Sequence, residues 1–181
     1  MFTIADFERA RNGVSSKGLL EDILFTVEKS PIAYALNLHN NHYRGYYTER
    51  MVADKLIDHN FNVFHYGKDH DYDLLINDSI RGEVKLATLT ATNRGNSTKY
   101  TFCKVKPECF DVLFLVFLNP MGLTIKWTTS EMVHEWKTGY KRGVEGYNIS
   151  FNKKLACSNL VYNESFDSFV RLYSQSISLC A

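Results

Sequence analysis

Asp73, Glu83 and Lys85 are the residues whose types and spacing suit chemistry. They lie in one stretch, Asp73-Leu-Leu-Ile-Asn-Asp-Ser-Ile-Arg-Gly-Glu83-Val-Lys85, which reads as an apolar strand, a polar turn at Asn77-Asp78-Ser79 and a second strand. Residues i and i+2 share a face of a strand, so Glu83 and Lys85 point one way while Val84 and Leu86 point the other, into a core. A turn confined to Asn77-Asp78-Ser79 sets Ile76 opposite Ile80 and Asp73 opposite Glu83. Directly opposed residues lie on one face of a sheet. Two carboxylates and an ammonium then meet on a single patch. The carboxylates repel, and each raises the other's pKa. A divalent cation relieves that conflict, because hard cations take oxygen ligands. A metal held by Asp73 and Glu83 would polarise a phosphoryl oxygen or acidify a water, with Lys85 orienting that water or balancing charge. The same spacing also suits a surface hairpin with a solvated Glu/Lys pair.

The elements around this hairpin must position it. Residues 42–59 read as an amphipathic helix. Counting from Glu49, Val52, Ala53, Leu56 and Ile57 fall at i+3, i+4, i+7 and i+8, which is its inward face. Glu49 itself lies on that buried side, where a charge is costly unless paired or bound to metal. Gly45, one turn earlier, leaves room for close approach. Phe61 to Tyr66 reads as an edge strand, and Gly67 to Tyr72 as a polar loop. Asp69 and Asp71 in that loop compete with Asp73 as metal ligands from less fixed positions. His65 and His70 stand near enough to serve as bases or DNA contacts, although lone histidines near a site are more often hydrogen-bonding bystanders. After Leu86 comes a polar stretch in which Thr88, Thr90, Asn93, Arg94 and Lys99 are of types that meet phosphates and base edges.

Phe110 to Leu118 is a nearly unbroken apolar run, expected of a central strand covered on both faces. Leu123 to Trp127 follows as the next strand. Thr129 or Ser130 is placed to cap a short helix with Met132, Val133 and Trp136. Gly139 to Gly146 reads as a loop carrying Lys141 and Arg142, Tyr147 to Phe151 as a strand and Glu164 to Tyr173 as an amphipathic helix. Upstream, residues 1–40 read as a helical N-terminal arm, with Ser16 as a cap and a break at Ser30-Pro31.

The chain has 181 residues, 45% of them hydrophobic, which suits one globular domain with a sizeable core. Its net charge of +1 is not that of a bulk nucleic-acid binder. Local charge is more informative. Arg94, Lys99, Lys104 and Lys106 follow the Glu83/Lys85 strand closely, although any one such group is ordinarily a solvated face. No apolar run reaches membrane-spanning length, and the N-terminus lacks a secretory pattern. The four cysteines show no CxxC spacing, as expected of reduced thiols in a cytoplasmic protein without a zinc site.

A helix with Glu49, a strand led by Asp73, then Glu83-Val84-Lys85 and an apolar strand: this order resembles the PD-(D/E)xK nuclease superfamily. The resemblance covers residues 43–136, the catalytic core, with 137–181 adding a C-terminal strand and helix to a single nuclease domain. Asp73 matches the family's first acid, Glu83 its second, Lys85 its lysine and Glu49 the extra helical acid of many members. Tyr72 stands where the motif's proline would be. The resemblance implies an α/β fold with a restriction-endonuclease-like core, a central mixed β-sheet flanked by helices. It implies Mg2+, with Mn2+ as a substitute, at Asp73, Glu83 and Glu49. It implies hydrolysis of DNA phosphodiester bonds, most like a Type II restriction endonuclease acting on double-stranded DNA as a homodimer. Thr88, Asn93, Arg94, Lys99, Lys141 and Arg142 are the expected DNA contacts. Two other readings stay open. A junction-resolving or repair nuclease of the same superfamily would suit a more basic chain. A non-catalytic DNA-binding module would have no need of carboxylates facing phosphate.

Overall fold

The hairpin at Asn77 forms in the expected register, and the main sheet grows from it. The computed structural model describes residues 41–66, 70–88, 90–91, 98–119, 122–136, 142–143, 146–152 and 164–177. In chain order these form α1 (Asn41–Asp58), β1 (Val63–His65), β2 (Leu74–Ile76), β3 (Ile80–Thr88), β4 (Thr90–Ala91) and β5 (Thr98–Val105). A 3-10 turn (Pro107–Cys109), β6 (Val112–Asn119), β7 (Gly122–Thr129) and α2 (Ser130–Trp136) follow. The chain closes with β8 (Arg142–Gly143), β9 (Gly146–Asn152), β10 (Glu164–Ser165) and α3 (Phe166–Ile177).

In the hairpin Ile76 opposes Ile80, and Leu74 opposes Gly82. Asn77 and Asp78 take left-handed φ values of 49 and 56, a region these two residue types enter more readily than most. The Ser79 amide closes the turn on the Ile76 carbonyl at 3.2 Å. β1 pairs with β2 and lies at the edge, as expected of Phe61 to Tyr66.

The main sheet has six strands in the order β1-β2-β3-β6-β7-β10. β3 and β6 run parallel, with Glu83 beside Leu113 and Lys85 beside Leu115, and the other neighbours are antiparallel. The sheet is therefore mixed, as expected. Every residue from Val112 to Leu118 is buried, which explains the unbroken apolar run of β6. Burying each such side chain contributes about 1.5–3 kcal/mol, so this strand anchors both layers.

One face of the sheet carries helices. Val52, Ala53 and Leu56 of α1 and Phe166 and Phe169 of α3 pack on Val84, Phe114 and Trp127. The Trp127 indole N–H donates to Ser168 Oγ at 2.9 Å, fixing α3. The opposite face differs from expectation. It is covered by a second, four-stranded sheet, ordered β4-β5-β9-β8, together with the short α2. Leu113, Leu115 and Phe117 of β6 meet Tyr100, Phe102 and Val105 of β5, Ile149 of β9 and Val133 of α2. The physical reason lies in β5, whose Tyr100 and Phe102 need an apolar face to cover. Parallel strands are usually joined through a helix. Here the crossover from β3 to β6 runs through β4 and β5 instead.

Three further expectations are corrected. The polar stretch after Leu86 is in part strand, because β3 continues to Thr88, β4 spans Thr90–Ala91 and β5 begins at Thr98. The segment 139–146 contains β8, where Arg142 pairs with Tyr147. The last helix starts at Phe166 and runs on to Ile177. Thr129 does cap α2, accepting the Met132 amide at 3.4 Å. The helical arm 1–40 lies outside the described residues. Among those described, no helix is long and apolar enough to cross a membrane.

Candidate active site

β2 begins only at Leu74 while its partner β3 runs on to Thr88, so the ladder between them stops at the Leu74–Gly82 pair. Asp73 sits at that corner. Its amide donates to the Gly82 carbonyl at 3.0 Å. Its Oδ2 accepts the Val84 amide at 2.7 Å. Alternate amides of a strand point to the same side, so Val84 N–H is the group that a longer β2 would have taken. The Asp73 carboxylate takes that place and is fastened next to Glu83 and Lys85. The expected opposition of Asp73 and Glu83 follows from the register.

Glu83 is buried at 8% exposure, and its carboxylate is ion-paired with the Lys85 ammonium. Asp73, Glu83 and Lys85 line one open pocket of about 370 Å³. Its electrostatics follow from crowding. Burial pushes the Glu83 carboxyl up to about 7, with Lys85 opposing and the charges of Asp73 and Glu49 adding to the rise. Burial acts to lower the Lys85 ammonium, but Glu83, Asp73 and Glu49 outweigh it and hold the group above its ordinary value. Charged Lys85 facing a carboxylate-rich pocket is the state this arrangement favours.

Glu49 stands at the margin of this group. Its Oε2 lies 2.9 Å from His65 Nε2, and both side chains are largely buried. Its other carboxylate oxygen lies 3.6 Å from where a Cβ on Gly45 would sit, an ordinary contact, so the approach expected at Gly45 does not require glycine. Burial raises the Glu49 carboxyl, as does Asp73, while His65 and Lys85 pull it down. His65 is engaged in holding Glu49, the hydrogen-bonding role ordinary for a lone histidine beside a site.

The remaining candidates are placed unevenly. His70 and Asp71 line the pocket, and Asp71 is exposed. Thr88 lies at the far end of β3, where the Arg44 guanidinium donates to its hydroxyl. Lys99 is exposed on β5. Asp69, Asn93, Arg94 and Lys141 lie outside the described residues, and Arg142 is described only as backbone of β8. Lys104 and Lys106, which the sequence marks only as local charge, also line the pocket.

Among the described residues, no group of three His, Cys, Asp or Glu side chains forms a ready-made metal cage. Two hard carboxylates, Asp73 and Glu83, do share the open pocket. That donor set fits Mg2+, which is commonly bound through one or two carboxylates and keeps several waters.

A scan against protein families finds no match, and a search of curated proteins finds none either. Among solved structures, the chain is similar to a bacterial homing endonuclease, I-Ssp6803I. The TM-score is 0.51 at 8% identity, and the match covers 79% of this chain and 99% of that one. The likeness is one of fold, and the mixed α/β architecture is compatible with a nuclease-like one.

Proposed function

We propose that this chain is a Mg2+-dependent endodeoxyribonuclease of the PD-(D/E)xK type, acting as a sequence-specific Type II restriction endonuclease. The observation that carries the reading is the Asp73 carboxylate fastened to the Val84 amide, between Glu83 and Lys85. The fold similarity to a protein whose title names it an endonuclease supports the same reading.

In this reading Asp73 and Glu83 hold the cation, and Glu49, steadied by His65, assists them. Mg2+, when bound, supplies Lewis-acid stabilisation of phosphoryl charge and lowers the pKa of water. Hydrolysis forms a bond from water oxygen to phosphorus and breaks the bond from phosphorus to one bridging oxygen of the backbone. The Lys85 ammonium, held against Glu83, orients the attacking water and offsets the charge that develops. Lys85 also keeps the buried carboxylates close without a net repulsive patch. The substrate is double-stranded DNA, the protein works in the cytoplasm, and a homodimer cuts both strands of a palindromic site.

The test is digestion of plasmid and phage DNA with purified protein, in Mg2+ and in EDTA. Discrete Mg2+-dependent fragments support a restriction enzyme. Cutting confined to branched DNA replaces it with a junction-resolving or repair nuclease. Metal-independent binding without cutting on any substrate replaces it with a DNA-binding module.

A further inference from the structure

β5 breaks its own alternation, and the break turns two lysines into the pocket wall. Tyr100 and Phe102 point into the core between the two sheets. Strict alternation would send Lys104 inward after them. Instead the register with β9 shifts between Phe102 and Val105, and Val105 takes the inward position. The shift is a bulge: Lys104 adopts φ 60, left-handed for a residue other than glycine. Such a conformation persists only where the surroundings hold it, and bulges are frequent beside active sites, where they re-aim a side chain. Here β9 holds it. A Cβ on Gly146 would lie 2.9 Å from the Lys104 carbonyl carbon and from the Val105 oxygen, so only glycine admits this approach. The outcome is that Lys104 and Lys106 flank buried Val105, and both line the pocket that holds Asp73 and Glu83.

We propose that Lys104 and Lys106 are positioning residues that bind backbone phosphates flanking the bond to be cut. The proposal rests on the nuclease reading of the same pocket. Its chemistry is that of a bipolar cleft. The acids suit a cation, and a phosphodiester approaching them needs positive charge in the same pocket to offset repulsion. Lysine ammonium groups serve as point charges for phosphate without reading sequence. The two lysines therefore contribute affinity and register, independent of the base sequence.

The test is fluorescence-anisotropy binding of a duplex oligonucleotide in EDTA, where hydrolysis does not run, across a series of NaCl concentrations. It compares wild type with Lys106→Ala, with Lys104→Asn, which tolerates the left-handed backbone, with the double variant and with Lys106→Arg. Removing one lysine–phosphate interaction should flatten the slope of log K against log salt by about 0.9. The double variant should therefore lose about 1.8 in slope on any duplex sequence, and Lys106→Arg should keep the wild-type slope. In Mg2+ the double variant should show a raised KM with kcat nearly unchanged, as expected for binding shared by ground and transition states. An unchanged slope in Lys106→Ala and in the double variant, beside a wild type that binds and cuts DNA, overturns the role of the lysines and leaves the nuclease reading intact. A wild type that neither binds nor cuts duplex overturns both.

Discussion

Asp73 reaches over the end of β2 to accept the Val84 amide with its Oδ2 at 2.7 Å. One bond thereby does two things: it completes the edge of β3, and it sets an acid beside Glu83. The two roles separate by mutation. Asp73→Ala leaves the Val84 amide without its acceptor and should destabilise the fold by about 1–3 kcal/mol, as well as abolishing cleavage. Asp73→Asn keeps an oxygen acceptor, so denaturant unfolding should stay near wild type while cleavage disappears. Retained cleavage in Asp73→Asn would remove Asp73 from the site.

Glu49 and His65 form the second relationship at the site. Because the contact at 2.9 Å aims the carboxylate, Glu49→Gln should lower activity about ten- to a hundredfold, the usual cost of disturbing a group that supports metal ligands. His65→Ala should act in the same direction by releasing Glu49. If either variant alters only the melting temperature, the pair belongs to packing.

Gly82 shows how closely the sheet is filled next to Glu83. A Cβ there would meet Ile76 Cδ1 and Leu74 Cβ at 3.3 Å and Phe114 at 3.4 Å. Gly82→Ala recovers about 0.5–1 kcal/mol of chain entropy but must press on Leu74 Cβ, which is fixed to the backbone, so overpacking should win by about 1 kcal/mol in urea unfolding. Unchanged stability would show that β2 yields freely.

The start of the parallel pair is clasped by Arg81 and Asp111. The Arg81 guanidinium donates to Asp111 at 2.7 and 3.1 Å, and the Arg81 amide donates to Asp111 Oδ2 at 2.8 Å. These bonds hold the Asp111 carboxyl below its ordinary value. A depressed folded pKa means that the unfolded chain binds the proton first on acidification. The stabilisation is thus fully present above about pH 4, the ordinary Asp value, and is lost as pH falls through the lower folded value. Wild type should melt above Asp111→Asn at neutral pH, and the gap should close in acid. A gap independent of pH would contradict the clasp.

Much of the candidate site's geometry was legible because its logic is local. The Asn77-Asp78-Ser79 turn determines the register, and the register brings Asp73 to Glu83. The periodicity of Val52, Ala53 and Leu56 placed Glu49 on the inward face by the same kind of local reasoning, although Ile57, counted on that face as well, is exposed. The second sheet was not legible. β5 pairs with β9, from Lys99–Asn152 to Val105–Tyr147, a long-range match that no short window contains. Its bulge also conceals the alternation, since Tyr100 and Phe102 are followed inward by Val105. The one signal available was Tyr100 and Phe102 alternating with polar residues. The pairing of His65 with Glu49 was hidden for the same reason, because it joins a helix to an edge strand.

The most direct measurement is the nicking of supercoiled plasmid in Mg2+ by wild type, Glu83→Gln and Lys85→Ala, each first shown to be folded by circular dichroism. Wild type should nick the plasmid, EDTA should abolish the nicking, and neither variant should nick at all. Wild-type rates in Glu83→Gln or Lys85→Ala would contradict a nuclease centre built on these residues.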